Sequence, residues 1–139
     1  MLRVGPVDPW FTKAKHLQVA WTGLLPRREI PKYACRAQVG VVCDNGKWDS
    51  GPRILPEMLA MDIPVIVRSC VRASRKYITE QTGMLVGEDR QEFVSALVRL
   101  LSSDLHPVKY YREHLSLPRA AERLSKAIAS ALRRRRGGL

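Results

Sequence analysis

The chain has 139 residues, 45% of them hydrophobic and 27% charged, with a net charge of +11. That suits one compact globular domain and excludes a disordered polyelectrolyte. No apolar run approaches the ~18 residues needed to span a bilayer. Residues 1–10 carry Arg3 and two prolines without a continuous apolar stretch, so no secretory signal is read and a cytoplasmic address is expected. The three cysteines, Cys35, Cys43 and Cys70, form no CxxC pair and lie far from His16, His106 and His114. Reduced, mostly buried thiols are expected, with neither bound metal nor cofactor.

In chain order, residues 17–22 alternate and stop at Gly23, which predicts a strand and a turn. Residues 28–36 form a short helix with Pro31 in its first turn. Residues 38–43 (QVGVVC) make a continuous apolar run, the pattern of a strand covered on both faces. A polar loop follows from Asp44 to Gly51. Residues 54–61 form a helix with Ile54, Leu55, Met58 and Met61 near one face, and Pro56 confines the helix start to this region. Residues 64–67 (PVIV) are a second buried strand, 73–78 a helical turn or two, and 83–86 a last short strand. Residues 91–101 form a helix after the acidic start at Glu88 and Asp89. Residues 107–115 are a short basic helix. Ser116 and Pro118 cap and open a final helix whose buried stripe is Ala121, Leu124, Ile128, Ala131 and Leu132.

Strands alternating with helices predict a three-layer α/β fold: a Rossmann-like parallel sheet of about four strands, flanking helices and a long C-terminal helix. The expected organisation is a lead-in over residues 1–16, the domain over 17–132, and a basic flexible tail over 133–139. In such a sheet the ligand crevice lies beyond the C-terminal strand ends, where the loop from Asp44 to Arg53 begins.

That loop and its helix read Trp48-Asp49-Ser50-Gly51-Pro52-Arg53-Ile54-Leu55-Pro56-Glu57. Free amides at the helix start, with Gly51 permitting close approach, suit an anion. Asp49 and Glu57 bracket that position. A carboxylate repels a diphosphate but accepts hydrogen bonds from sugar and ribose hydroxyls. Arg68 and Arg72 follow the 64–67 strand towards the same side and are candidate phosphate contacts.

The segment resembles the C-terminal, donor-binding domain of the retaining glycosyltransferases of the GT-B fold, the group called family 4 or group 1. The residues that carry the resemblance are the carboxylate pair Asp49 and Glu57 with seven residues between them, Met58-Leu59-Ala60, and Pro64-Val65-Ile66-Val67. Gly23, Ile30-Pro31-Lys32-Tyr33 and Thr82-Gly83-Met84-Leu85-Val86 extend it, over roughly residues 17–101. The resemblance implies a nucleotide-diphosphate sugar as substrate. Glu57 would bind the donor ribose, Asp49 would face the donor sugar, and Gly51, Pro52, Arg53 and Ile54 would line sugar and phosphate. The implied reaction is transfer of a glycosyl group to an acceptor hydroxyl with retention.

Asp49 stands where the family usually has Glu, and Arg75 falls where many members place an acidic residue. The first two βα units of the family's domain are not recognisable, and Lys13 and Lys15 are the only early candidates for a phosphate clamp. The chain is therefore expected to be incomplete or inactive alone, needing an N-terminal acceptor domain or a partner chain.

Charge is concentrated at the end: residues 108–139 hold nine Lys/Arg against two acids. The Arg133–Arg136 cluster reads as a solvated helix end favoured by the helix dipole or, next, as an attractor for an anionic membrane surface, which would make the protein peripheral to the membrane; nucleic acid ranks behind both. An exposed sheet edge would favour a homodimer. The competing reading is a non-catalytic basic α/β binding module, or a scaffold that associates with another chain, an anionic membrane or nucleic acid.

Overall fold

The computed structural model describes residues 2–3, 20–43 and 53–136, and these fall into two compact units divided after Ala37. In the first unit, β1 (Leu2–Arg3) pairs in parallel with β2 (Ala20–Trp21). A 3-10 turn (Arg27–Glu29) then runs into α1 (Ile30–Ala34), with Pro31 in the first turn where its missing N–H is not needed.

The second unit carries the α/β core. Its elements are β3 (Gly40–Val42), α2 (Ile54–Ala60), β4 (Val65–Arg68), α3 (Ser74–Tyr77) and β5 (Gly83–Val86). Then come α4 (Arg90–Leu101), α5 (Pro107–Tyr110), a π-helical stretch (Tyr111–Leu115) and α6 (Leu117–Arg136). The strands lie in the order β3-β4-β5, all parallel, with Gly40 opposite Val65 and Val65 opposite Gly83.

The central strand explains the layering. Val65, Ile66 and Val67 are all buried, because alternate side chains enter different cores. Val65 and Val67 pack with Leu55, Leu59, Val71 and Ile78 under α2 and α3. Ile66 packs on the other face with Val86, Ala96 and Leu100 under α4. The result is a three-layer α/β unit with a long C-terminal helix, the architecture expected from the sequence. The strands anticipated as one sheet of about four divide into this three-stranded sheet and the separate β1-β2 pair.

Helix ends follow local chemistry. The Asp89 side chain caps α4 by accepting from the Glu92 amide at 3.1 Å, and Glu92 Oε2 reaches back to the Gly87 amide at 2.7 Å. Pro56 falls in the first turn of α2.

Three expectations fail. The 38–43 strand is not covered on both faces, for Gly40 is buried but Val41 is exposed on an edge strand. The cysteines are all exposed and none is in a disulfide. The apolar stripe of α6 is not buried: Leu124, Ile128 and Leu132 stand open to solvent. Helical period places them on one face correctly, but nothing packs on that face among the described residues. The Arg133–Arg136 cluster belongs to α6 itself, whose last residue is Arg136.

Candidate functional site

The three strands of the second unit end together. Cys43 directly follows β3, Arg68 closes β4, and Gly87 directly follows β5. These residues, with Glu88, Asp89, Arg90 and Phe93, line a cavity of about 550 Å³. It occupies the place where parallel α/β sheets bind ligands, beyond the carboxyl ends of the strands.

Arg68 is drawn into this cavity because β4 and β5 pair in register, with Arg68 opposite Val86. Its guanidinium forms an ion pair with Glu88 two residues further on. That acid was not singled out from the sequence as a site residue; the signal was the acidic start of α4, read only as helix-favouring charge. Arg90, at the first position of α4, adds a second cation, and Asp89 a second acid. Cys43 sits at the rim, where desolvation pushes its thiol above the ordinary value while the Arg68 charge pulls the other way.

Glu57 sits in the first turn of α2, half-buried, with its amide bonded to the Arg53 carbonyl at 3.4 Å. Arg53 stands exposed at the N-cap position, and half-buried Ile54 begins the helix. Arg72 is exposed in the turn after β4. Arg53, Ile54, Glu57 and Arg72 are not among the residues lining the cavity at Arg68. Asp49, Gly51 and Pro52 lie outside the described residues, as does the rest of the 44–52 loop.

Thr82 and Gly83, part of the resemblance, take structural roles. The Thr82 hydroxyl donates to the Tyr77 carbonyl at 2.8 Å and accepts from the Thr79 amide at 2.7 Å. Both residues stand at the amino end of β5, opposite the strand ends that form the cavity. Among the described residues no three His, Cys, Asp or Glu side chains converge in a way that would hold a metal ion. No helix among them is long and apolar enough to cross a membrane.

A layered parallel α/β unit with a cleft at its strand ends defines a class of ligand-binding domains rather than one activity. The family follows from comparison. Residues 2–103 match the family described as Glycosyl transferases group 1, and the chain belongs to it. The match begins at residue 2, ahead of the start of the resemblance at Leu17, and so takes in β1. No curated protein matches the chain.

Proposed function

We propose that this chain forms the donor-binding part of a retaining glycosyltransferase that uses a nucleotide-diphosphate sugar. The observation that carries the reading is Glu57. In a chain that belongs to the group 1 glycosyltransferases, it stands on the first turn of the helix reached from the carboxyl end of β3. On a half-buried residue, its carboxylate suits a pair of ribose hydroxyls, each donating a charge-assisted hydrogen bond.

Asp49 faces the donor sugar, and Gly51, Pro52, Arg53 and Ile54 line the sugar and phosphate. Arg68 supplies positive charge to the leaving diphosphate, with Arg72 as a second contact. The protein contributes position and charge stabilisation, since the departing diphosphate carries the charge that develops as the glycosidic bond breaks. The nucleotide sugar is the substrate, and no further cofactor takes part. The acceptor enters from an N-terminal domain or a partner chain, so transfer is not expected from these residues alone.

The test is calorimetric titration with uridine, guanosine and adenosine diphosphates and their sugar conjugates, run beside Glu57→Ala and Glu57→Gln. One nucleotide should bind selectively. Each variant should weaken it roughly tenfold to a hundredfold, the worth of hydrogen bonds to a charged group. Selective binding that survives both substitutions would remove Glu57 from the site. Absence of binding to every nucleotide would favour the non-catalytic module or scaffold instead.

A further inference from the structure

Helix α6 carries an apolar face that nothing among the described residues covers. With 3.6 residues per turn, Leu117, Ala121, Leu124, Ile128, Ala131 and Leu132 fall within an arc of about 100°. Leu117 is 81% exposed, Leu124 62%, Ile128 52% and Leu132 53%. Four large apolar side chains in one open row are unusual for a surface that meets only water.

The opposite arc is basic, with Arg119, Lys126, Arg123 and Arg133 following the same periodicity. From Leu117 to Arg136 the sequence holds seven Lys/Arg against the single acid Glu122. That acid is neutralised within the helix, by Arg119 at 2.8 Å and Lys126 at 2.7 Å. Arg123 donates to the His114 carbonyl, which fixes the helix to the π-helical stretch before it.

The combination selects the occupant. A nucleic acid would take the cations but has no use for the leucines. A second copy, or an acceptor domain, would cover the leucines but leave the basic arc on the far side of the helix unmatched. An anionic bilayer satisfies both arcs, because apolar side chains enter the acyl boundary while Lys and Arg stems reach up to lipid phosphates.

We infer that α6 is a docking surface for an anionic lipid bilayer. It lies flat with Leu117, Leu124, Ile128 and Leu132 in the interface and Arg119, Arg123, Lys126 and Arg133 at the headgroups. Its 20 residues make a cylinder about 30 Å long, and its seven cations forbid insertion across the membrane. This inference does not depend on the donor-binding reading.

Flotation of the full chain tests it, with vesicles of phosphatidylcholine alone or of phosphatidylcholine and phosphatidylglycerol in equal parts. The chain should float only with phosphatidylglycerol, and less as salt rises. Replacing Leu124→Gln and Ile128→Gln together leaves the charge unchanged and keeps good helix formers at exposed positions. The pair should weaken binding about tenfold or more. Arg133→Gln with Arg134→Gln should weaken it about twenty-five-fold, near fivefold per charge. As a measurement free of substitutions, amide exchange along α6 should slow when phosphatidylglycerol vesicles are added.

Failure to float, equal binding to both vesicle types, or binding indifferent to the Leu124 and Ile128 pair would overturn the inference. So would a dimer in solution that the same pair dissolves, which would give the face to a second copy. Duplex DNA binding that those substitutions leave intact, without flotation, would give it to nucleic acid.

Discussion

At Gly83 the chain passes so close to its neighbour that an added Cβ would stand 2.0 Å from the Val65 carbonyl oxygen. Its φ of +157° adds a conformation that side chains seldom adopt. The obstructing atom is backbone in the central strand, so no side chain can swing away to make room. Gly83→Ala should therefore destabilise the protein by about 2–4 kcal/mol, as overpacking against a rigid wall does. Thermal melts would check it, and an unchanged midpoint would mean that β5 can slide on β4. The Thr82-Gly83 motif was legible in the sequence as part of a family pattern. Its physical reason was not, because it depends on which strand lies alongside.

Between elements, Asp62 is the joint. It sits just after α2 with a φ of +63°, a left-handed turn that Asp tolerates better than most residues. Its Oδ1 accepts from the Val108 amide at 3.0 Å, and its Oδ2 lies 3.0 Å from His106 Nδ1, so the end of α2 is tied to the start of α5. Burial pushes the Asp62 carboxyl up, but the hydrogen bonds from His106 and Val108 and the charges of His106 and Arg112 outweigh it and hold it below its ordinary value. His106 is raised, first by its hydrogen bond to Asp62 and then by the charges of Asp62 and Asp104.

A raised His stabilises below its unfolded pKa of 6.5, and that contribution is lost as pH rises through the folded value. A lowered Asp stabilises above its unfolded pKa of 3.8, and that contribution is lost as pH falls through the folded value. The pair thus contributes most between about pH 4 and pH 6.5. Asp62→Asn keeps the turn, since Asn also tolerates positive φ, and removes the charge. The gap in melting temperature between wild type and Asp62→Asn should be widest in that window and narrow above neutrality. The gap should be small for so exposed a pair. A gap that does not vary with pH would mean that the Val108 hydrogen bond alone fastens the joint.

What could be read at this scale depended on length and period. The runs PVIV and GMLV were legible as strands because burial on two faces concentrates apolar residues. Leu2–Arg3 was not, since two residues show no alternation. The nearness of Glu57 to a helix start could be read from Pro56, which is tolerated only in a first turn. The pairing of Arg68 with Glu88 could not, because only the register of β4 on β5 joins residues 20 apart in the chain.

Across the second unit, β4 separates two cores and belongs to both. Losing Ile66 empties one side and losing Val67 the other, yet either loss loosens the same strand. Each substitution to Ala should destabilise by about 1–4 kcal/mol, a large fraction of the 5–15 kcal/mol that holds a typical domain. Stability is distributed very unequally around that strand. The β4 amides bond within the sheet and sit beneath buried side chains, whereas α6 rests mainly on the π-helical stretch and presents its apolar row to water.

Native-state hydrogen exchange should therefore rank the elements. The amides of Ile66 and Val67 should exchange only through opening of the whole unit, and those of the second half of α6 through local fraying, orders of magnitude faster. The α6 stripe was legible from its period, but period cannot distinguish a face that the fold covers from one reserved for another surface; exchange rates can. Protection of α6 equal to that of β4 in the isolated chain would mean that its leucines are already covered in solution. The lipid surface would then have to compete for them rather than find them open.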